Sequence, residues 1–444
     1  MAHRSCLLAL FLLASACSEK EPVGTGGSSD GFSAAEMTKI SALSPLPALP
    51  AEPTNRYADD PKAGALGQKL FFDARYSGAI SPGGAKDASN GGLGAAGEKG
   101  KLSCQSCHID KWLQDNRSNP ANVSLAADWI IRNTPTLVNS AFYKRFGWIA
   151  GPDSMWCQSL FPAEEEHHIG GSRCGIAHLL WSKYKEEYNA IFDPLDPALD
   201  PMHASAARFP AECKPKAMGA PDGAWERMAA ADRAIINRIF VNFGKTQEAY
   251  IRKLVSRNAA FDRFVAGEKD AMGASAKRGL KLFIGKAACD ACHNTPFFSD
   301  NKAHNTGVPQ TGPHVPMVEN GAYDGAGFAL GNEFNSSSEW SDDRNTGRLS
   351  GVMQAEEDKG KIRTKSLREV KETAPYMHAG QHATLTEVMD FYNRGGDTSS
   401  VGTKDPLIKP LNLTPAEIAD LVAFLETLTG DPVPAELLAN TANP

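Results

Sequence analysis

Two pentapeptides of the form C-x-x-C-H, Cys104-Gln105-Ser106-Cys107-His108 and Cys289-Asp290-Ala291-Cys292-His293, carry the plainest chemistry in this 444-residue chain. With 9 Cys and 11 His overall, chance placement would give about 0.005 such motifs, so finding two is a signal. The spacing suits a porphyrin. Thiols three positions apart can add to the two vinyl groups on one edge of the ring, and the histidine that follows is brought beneath it as the proximal iron ligand. A four-thiolate zinc site or two local disulfides would use the cysteines but leave both histidines unexplained. The pattern predicts two covalently held c-type haems, attached through Cys104, Cys107, Cys289 and Cys292, with His108 and His293 on the irons.

The elements that must hold these motifs read as helical. Gly67-Gln68-Lys69-Leu70-Phe71 and Gly279-Leu280-Lys281-Leu282-Phe283 share Gly, Lys, Leu and Phe, and each precedes a C-x-x-C-H motif, so two related haem domains are expected. In the first copy the intervening stretch is long and Gly-rich, Gly78 to Gly100, and reads as a loop. Apolar spacing predicts a helix over Asp232 to Phe264. The capping box Thr414-Pro415-Ala416-Glu417 opens a second, with Ile418, Leu421, Val422, Leu425 and Leu428 on one face. Pro45 to Pro53, Pro194 to Pro221 and His304 to Arg348 read as long loops. The expected fold class is mainly α: two cytochrome-c-like haem domains, 54–245 and 246–444, with long irregular loops and few strands. The final helix, 414–429, could pack back on the first domain.

The chain is 42% hydrophobic with a net charge of −6, enough to bury large cores and without the basic footprint of a nucleic-acid binder. Arg4, the apolar run Cys6 to Ala14 and Ser15-Ala16-Cys17 read as an export signal over 1–17, with Cys17 placed like the lipidated cysteine of a membrane-tethered protein. Residues 18–53, Gly/Ser-rich at first, read as a flexible tether. This predicts a periplasmic protein, lipid-anchored to a membrane. Cys157, Cys174 and Cys213 remain outside the signal and the haem motifs. One disulfide is expected among them, Cys157 to Cys174 or Cys174 to Cys213.

The sequence resembles the bacterial di-haem cytochrome c peroxidases, including their MauG-like branch, over nearly all of Pro61 to Gly430. The resemblance rests on Lys69-Leu70-Phe71-Phe72-Asp73, Arg132-Asn133-Thr134-Pro135-Thr136-Leu137, Phe298-Ser299-Asp300-Asn301 with His304-Asn305-Thr306-Gly307, Ser366-Leu367-Arg368, Thr373-Ala374-Pro375-Tyr376-Met377-His378-Ala379-Gly380, and Phe391-Tyr392-Asn393-Arg394-Gly395-Gly396. It implies an enzyme that reduces hydrogen peroxide at the His108 haem, with electrons from a small periplasmic cytochrome c or copper protein. Family members are often homodimers.

The resemblance also assigns roles. Between Ile109 and Ser154 there is neither His nor Met, so the switching ligand that many members carry there is missing and the His108 iron is expected to be open; His167 and His168 could fold back onto it. Cleaving a peroxide needs a base and then an acid. The family places a Trp, a Gln ten residues later and a Glu about ten further on. Here Trp148 and Gln158 match; strict spacing then lands on His168, and with a gap admitted the third place goes to Glu166, with Glu165, Glu164 and His168 as alternatives. Trp148 would relay electrons between the haems, although a plain core aromatic reads the same way. For the second iron the family's count lands on Tyr392, with Met389 and Met377 as alternates. A phenolate favours oxidised iron where a thioether raises the potential. A calcium ion held by Asn133, Thr373 and Pro375 is implied as well. Two other readings are a MauG-like enzyme that oxidises residues of a partner protein and a non-catalytic electron-transfer cytochrome.

Overall fold

The computed structural model describes Met1 and residues 31–86, 91–109, 111–115 and 123–442; the export signal, Cys17 and residues 18–30 of the expected tether lie outside the described residues. The helices are α1 (Ala34–Ser41), α2 (Pro61–Phe72), α3 (Met155–Glu164), α4 (Arg173–Asn189), α5 (Ala224–Arg227), α6 (Ala230–Ile251), α7 (Ala260–Val265), α8 (Ala274–Phe283), α9 (Ala322–Gly331), α10 (Leu385–Asn393), α11 (Pro415–Glu426) and α12 (Ala435–Leu438). Strand structure among the described residues is one antiparallel pair of two-residue strands, β1 (Ala303–His304) and β2 (Ile362–Arg363). The fold is mainly α, as the sequence predicts.

The shared glycine of the internal echo has a packing reason. A Cβ on Gly67 would stand 1.9 Å from the carbonyl oxygen of Thr246 in α6, and a Cβ on Gly279 would stand 1.9 Å from that of Asp420 in α11. Each glycine lets the opening helix of its unit cross the closing helix at backbone contact. Around the crossings lie separate apolar cores. One joins Leu66 and Leu70 to Ile236, Phe240 and Phe243. The other joins Leu280 and Phe283 to Leu421, Phe424 and Leu425.

This pairing corrects several expectations. The boundary expected at 245/246 falls inside α6, which closes the first unit. The helix expected over 232–264 is interrupted between Ile251 and Ala260. The expected helix at 414–429 packs on α8 of its own unit, because its apolar face answers Gly279 and Leu280. The stretch expected as a loop from His304 to Arg348 contains the ten-residue α9. Residues 31–53 are not a free tether. Ser33 caps α1 in a capping box with Glu36, and Phe32, Ile40 and Leu43 are buried in the second core, with Phe32 6.1 Å from Phe264 ring to ring. At the other end, Tyr250 Oη donates to Leu437 O at 2.6 Å and Gln68 Nε2 to Glu436 O at 2.7 Å, tying the C-terminal tail to the first unit.

Cys174 and Cys213 form a disulfide, which leaves Cys157 as a buried thiol within α3. The bond spans 39 residues of sequence, much of it irregular chain. Loop-closure entropy for that span gives about 4 kcal/mol, so Cys174→Ser is expected to lower the denaturation midpoint markedly, read by urea titration of the oxidised protein.

Candidate active site

The two C-x-x-C-H motifs adopt one conformation. Each begins in a single 3-10 turn, Cys104–Ser106 and Cys289–Ala291, and each ends on a cysteine at φ −113°, ψ −27°. His108 Nδ1 lies 2.9 Å from Leu113 O, and His293 Nδ1 lies 2.7 Å from Phe298 O. Both carbonyls come from a residue five positions on, and both residues have positive φ, 51° at Leu113 and 53° at Phe298. A non-glycine residue in the left-handed region costs energy, and here it is spent on aiming a carbonyl at the ring. With Nδ1–H engaged, Nε2 is left as the lone-pair nitrogen that a metal takes. Burial pushes His108 down to about 4 and lowers His293, so both imidazoles are neutral and fit for iron.

A cavity of about 290 Å³ opens beside the second motif. Its wall holds Cys289, Cys292 and His293 together with Phe283, Leu421 and Leu425, and Tyr392, Met389 and Met377 all reach it. Burial raises the Tyr392 phenol, so in the absence of a metal it keeps its proton. Sequence reasoning passed over two cations on the same wall, Arg363 and Lys365. Arg363 Nη1 is buried with no hydrogen-bond partner. Burial drives Lys365 well below the ordinary lysine range, with Arg363 as the second cause. A thiol pair, a neutral histidine, apolar walls and two buried basic side chains, one with an unpartnered Nη1, fit a haem with its two acidic side chains. The alternation Arg363-Thr364-Lys365, which puts two cations on one face of an extended segment, was the available signal.

Around the first motif, Tyr76 Oη lies 3.5 Å from Cys104 Sγ, and the Tyr76 carbonyl oxygen would stand 2.6 Å from a Cβ on Gly171. Gly78 N donates to Ile169 O at 3.0 Å. The turn carrying His168 to Gly171 is thereby packed on the Tyr76–Gly78 segment, whose Tyr76 hydroxyl reaches the first haem cysteine. Gln158 also approaches Trp148: its Oε1 would be 3.4 Å from a Cβ on Gly147, a residue with φ +69°.

The acidic run divides three ways. Glu164 is bound by Arg173 at 2.9 and 3.0 Å. Glu165 accepts from His168 Nδ1 at 2.6 Å and faces His167 Nδ1 at 3.0 Å. Burial raises the Glu165 carboxyl, but the two imidazoles outweigh it and hold it at about 2. Glu166, the favoured residue from sequence, does not join the group. Its side chain is 78% exposed and paired with Lys214 at 3.2 Å, because α3 ends at Glu164 and the chain turns outward there.

Trp148 stands on the wall of the second cavity. Its Nε1 donates to Asn133 O at 2.7 Å, and its ring lies 6.4 Å from that of His378. The same junction gathers two of the three residues expected at calcium. Asn133 Nδ2 donates to Pro375 O at 3.1 Å, while Thr373 Oγ1 turns to Val370 O at 3.4 Å.

The family model described as "Di-haem cytochrome c peroxidase" matches residues 61–270. A cytochrome-c peroxidase of Denitromonas iodatirespirans, IdrP1, is 33% identical over 412 residues, covering 89% of this chain and 88% of its own. The methylamine utilization protein MauG of Methylorubrum extorquens is 28% identical over 375 residues, covering 84% of this chain and 79% of its own. Among solved structures, a MauG-like protein associated with microbial copper homeostasis superposes with a TM-score of 0.58 at 22% identity, covering 89% of this chain and 98% of that one, a likeness of fold.

Proposed function

Because the chain belongs to the di-haem cytochrome c peroxidase family, and so is a peroxidase-type oxidoreductase with two c-type haems and hydrogen peroxide as substrate, we propose that it divides its chemistry between unlike sites, peroxide cleavage beside His108 and electron handling at His293. A bound haem supplies iron that coordinates peroxide and exchanges electrons. The rest falls to the chain. His168 takes the first peroxide proton on Nε2 and returns it to the departing oxygen. Glu165 fixes the tautomer through Nδ1 and stabilises the imidazolium as it forms. Gln158 would orient peroxide in the pocket with its amide, and Trp148 would relay electrons between the two haems when they are bound. The single observation that carries this reading is the 2.6 Å contact between His168 and Glu165, in a turn packed on the Tyr76–Gly78 segment whose Tyr76 hydroxyl reaches Cys104.

Tyr392 is the sixth ligand at the second site in this reading, supported by its place on the cavity wall with Cys289 and Cys292. A tyrosine there also favours the MauG-like variant of the reaction, in which residues of a partner protein are oxidised. For ordinary turnover the donor is a small periplasmic cytochrome c or copper protein. Asn133 and Pro375, already in contact, would offer oxygen ligands to a calcium ion once the Asn133 amide is turned over. Export, with anchoring through Cys17, keeps this chemistry in the periplasm; no helix of the described residues is long and apolar enough to cross a membrane.

Electron paramagnetic resonance of the fully oxidised holoprotein tests the division. One high-spin and one low-spin haem are expected. Two low-spin signals would overturn the open site at His108.

A further inference from the structure

Near the first haem cysteine two buried tyrosines meet unlike partners. Tyr76 and Tyr184 belong to one apolar core, and Cys104 packs against that same core. The Tyr76 hydroxyl reaches the Cys104 sulfur at 3.5 Å, and a haem thioether there is no base for a phenol proton. Tyr184 Oη instead donates to Asp73 Oδ2 at 2.7 Å. Asp73 is itself buried, three residues before Tyr76, and Arg75 grips its carboxylate through Nε at 2.9 Å and Nη2 at 2.6 Å. Burial raises that carboxyl, but the hydrogen bonds from Arg75 and Tyr184 outweigh it and hold it below the ordinary carboxylate range, so it stands ionised. Arg75 Nη2 also donates to the Tyr184 oxygen, at 3.2 Å.

We propose that Tyr184 and Asp73 form a proton-coupled redox site for the first haem, where an oxidising equivalent rests until a donor electron arrives. The inference rests on the reading that peroxide is cleaved beside His108. In the step, one electron leaves the Tyr184 ring for the peroxide-oxidised first haem, the phenol O–H bond breaks, and the proton crosses the 2.7 Å contact to Asp73 Oδ2. The products are a neutral phenoxyl radical and a protonated carboxyl. Moving proton and electron together avoids leaving a phenol cation in a buried, apolar place, where an unpaired charge is costly. Arg75 can then donate to the phenoxyl oxygen, and its charge beside the protonated carboxyl favours return of the proton. When the donor supplies an electron, Tyr184 takes it together with that proton, and both side chains regain their starting states. Tyr76, with a sulfur at its hydroxyl, offers no such route.

The test mixes the fully oxidised di-haem holoprotein with hydrogen peroxide in the absence of donor, freezes it at short times and records electron paramagnetic resonance for wild type, Tyr184→Phe and Asp73→Asn, after a haemochrome assay shows two haems in each. Wild type is expected to give a tyrosyl radical signal. Tyr184→Phe should lose it, and so should Asp73→Asn, which keeps the phenol but cannot take its proton. In deuterium oxide the wild-type signal should rise more slowly, because a proton moves with the electron, and this measurement needs no variant to fold. A signal that persists in either variant, one that rises equally fast in both solvents, or none at all from a wild type whose high-spin haem reacts would overturn the redox site and leave cleavage at His108 standing. A high-spin haem untouched by peroxide while the low-spin haem changes would overturn the reading beneath it and the redox site together.

Discussion

Replacing His168 by glutamine is expected to slow the reaction of the oxidised holoprotein with hydrogen peroxide about 10²–10⁴-fold, the usual worth of a placed acid–base group. Glutamine retains the bulk and can still donate a hydrogen bond to Glu165, but it cannot carry a proton from one peroxide oxygen to the other. The carboxylate at Glu165 is held near 2 by the two imidazoles and stays ionised at any working pH, so it serves as a fixed orienter. Stopped-flow mixing with peroxide gives the rate. The matching control is Glu166→Gln. With its side chain 78% exposed and its partner Lys214 half-buried at the edge of the turn, that substitution should change the rate by less than about twofold. A large loss in Glu166→Gln beside a normal His168→Gln would return the role to the glutamate that the family resemblance favours.

The second large effect is expected at the other iron. Tyr392 sits on α10, three residues after Met389, and both line the cavity that contains His293. Tyr392→Met replaces a phenolate, which favours oxidised iron, with a thioether, which favours reduced iron. The potential of the second haem should rise by a sizeable part of the roughly 0.8 V that axial ligands command. Spectroelectrochemistry of the low-spin haem reads this directly. An unchanged potential and spectrum would assign the ligand to Met389 or Met377.

Much of this was legible because haem attachment is local. Five consecutive residues specify thiols and ligand, and the glycines at 67 and 279 mark helix crossings that recur because the same unit recurs. The distal acid–base group was harder to read. Glu164, Glu165 and Glu166 are identical letters in one run, yet one clamps Arg173, one orients two histidines and one faces water. Which is which depends on where α3 stops and the chain turns, a tertiary property that spacing along the sequence does not encode. Strict spacing from Gln158 did fall on His168. The Glu run drew attention away because the family uses a carboxylate there. The packed arm at 31–53 had a readable sign in Ser33-Ala34-Ala35-Glu36, a capping box hidden by the Pro-rich context that follows. Tyr184 gave no sign of its partner, since nothing in the sequence places residue 184 beside residue 73.

The exchanged ends of the chain bear on how the molecule is made. Phe32, Ile40 and Leu43 belong to the core closed by α11, and the tail through Leu437 belongs to the unit closed by α6. Synthesis runs the other way: α1 waits for its partners until Leu428 has been added, and the contact of Tyr250 with Leu437 forms only after α11 has been made. A cut between the two haems would strip each half of a piece of its own interior. The two halves are therefore one cooperative object, tied together by the arm that carries α1 and the tail that carries α12.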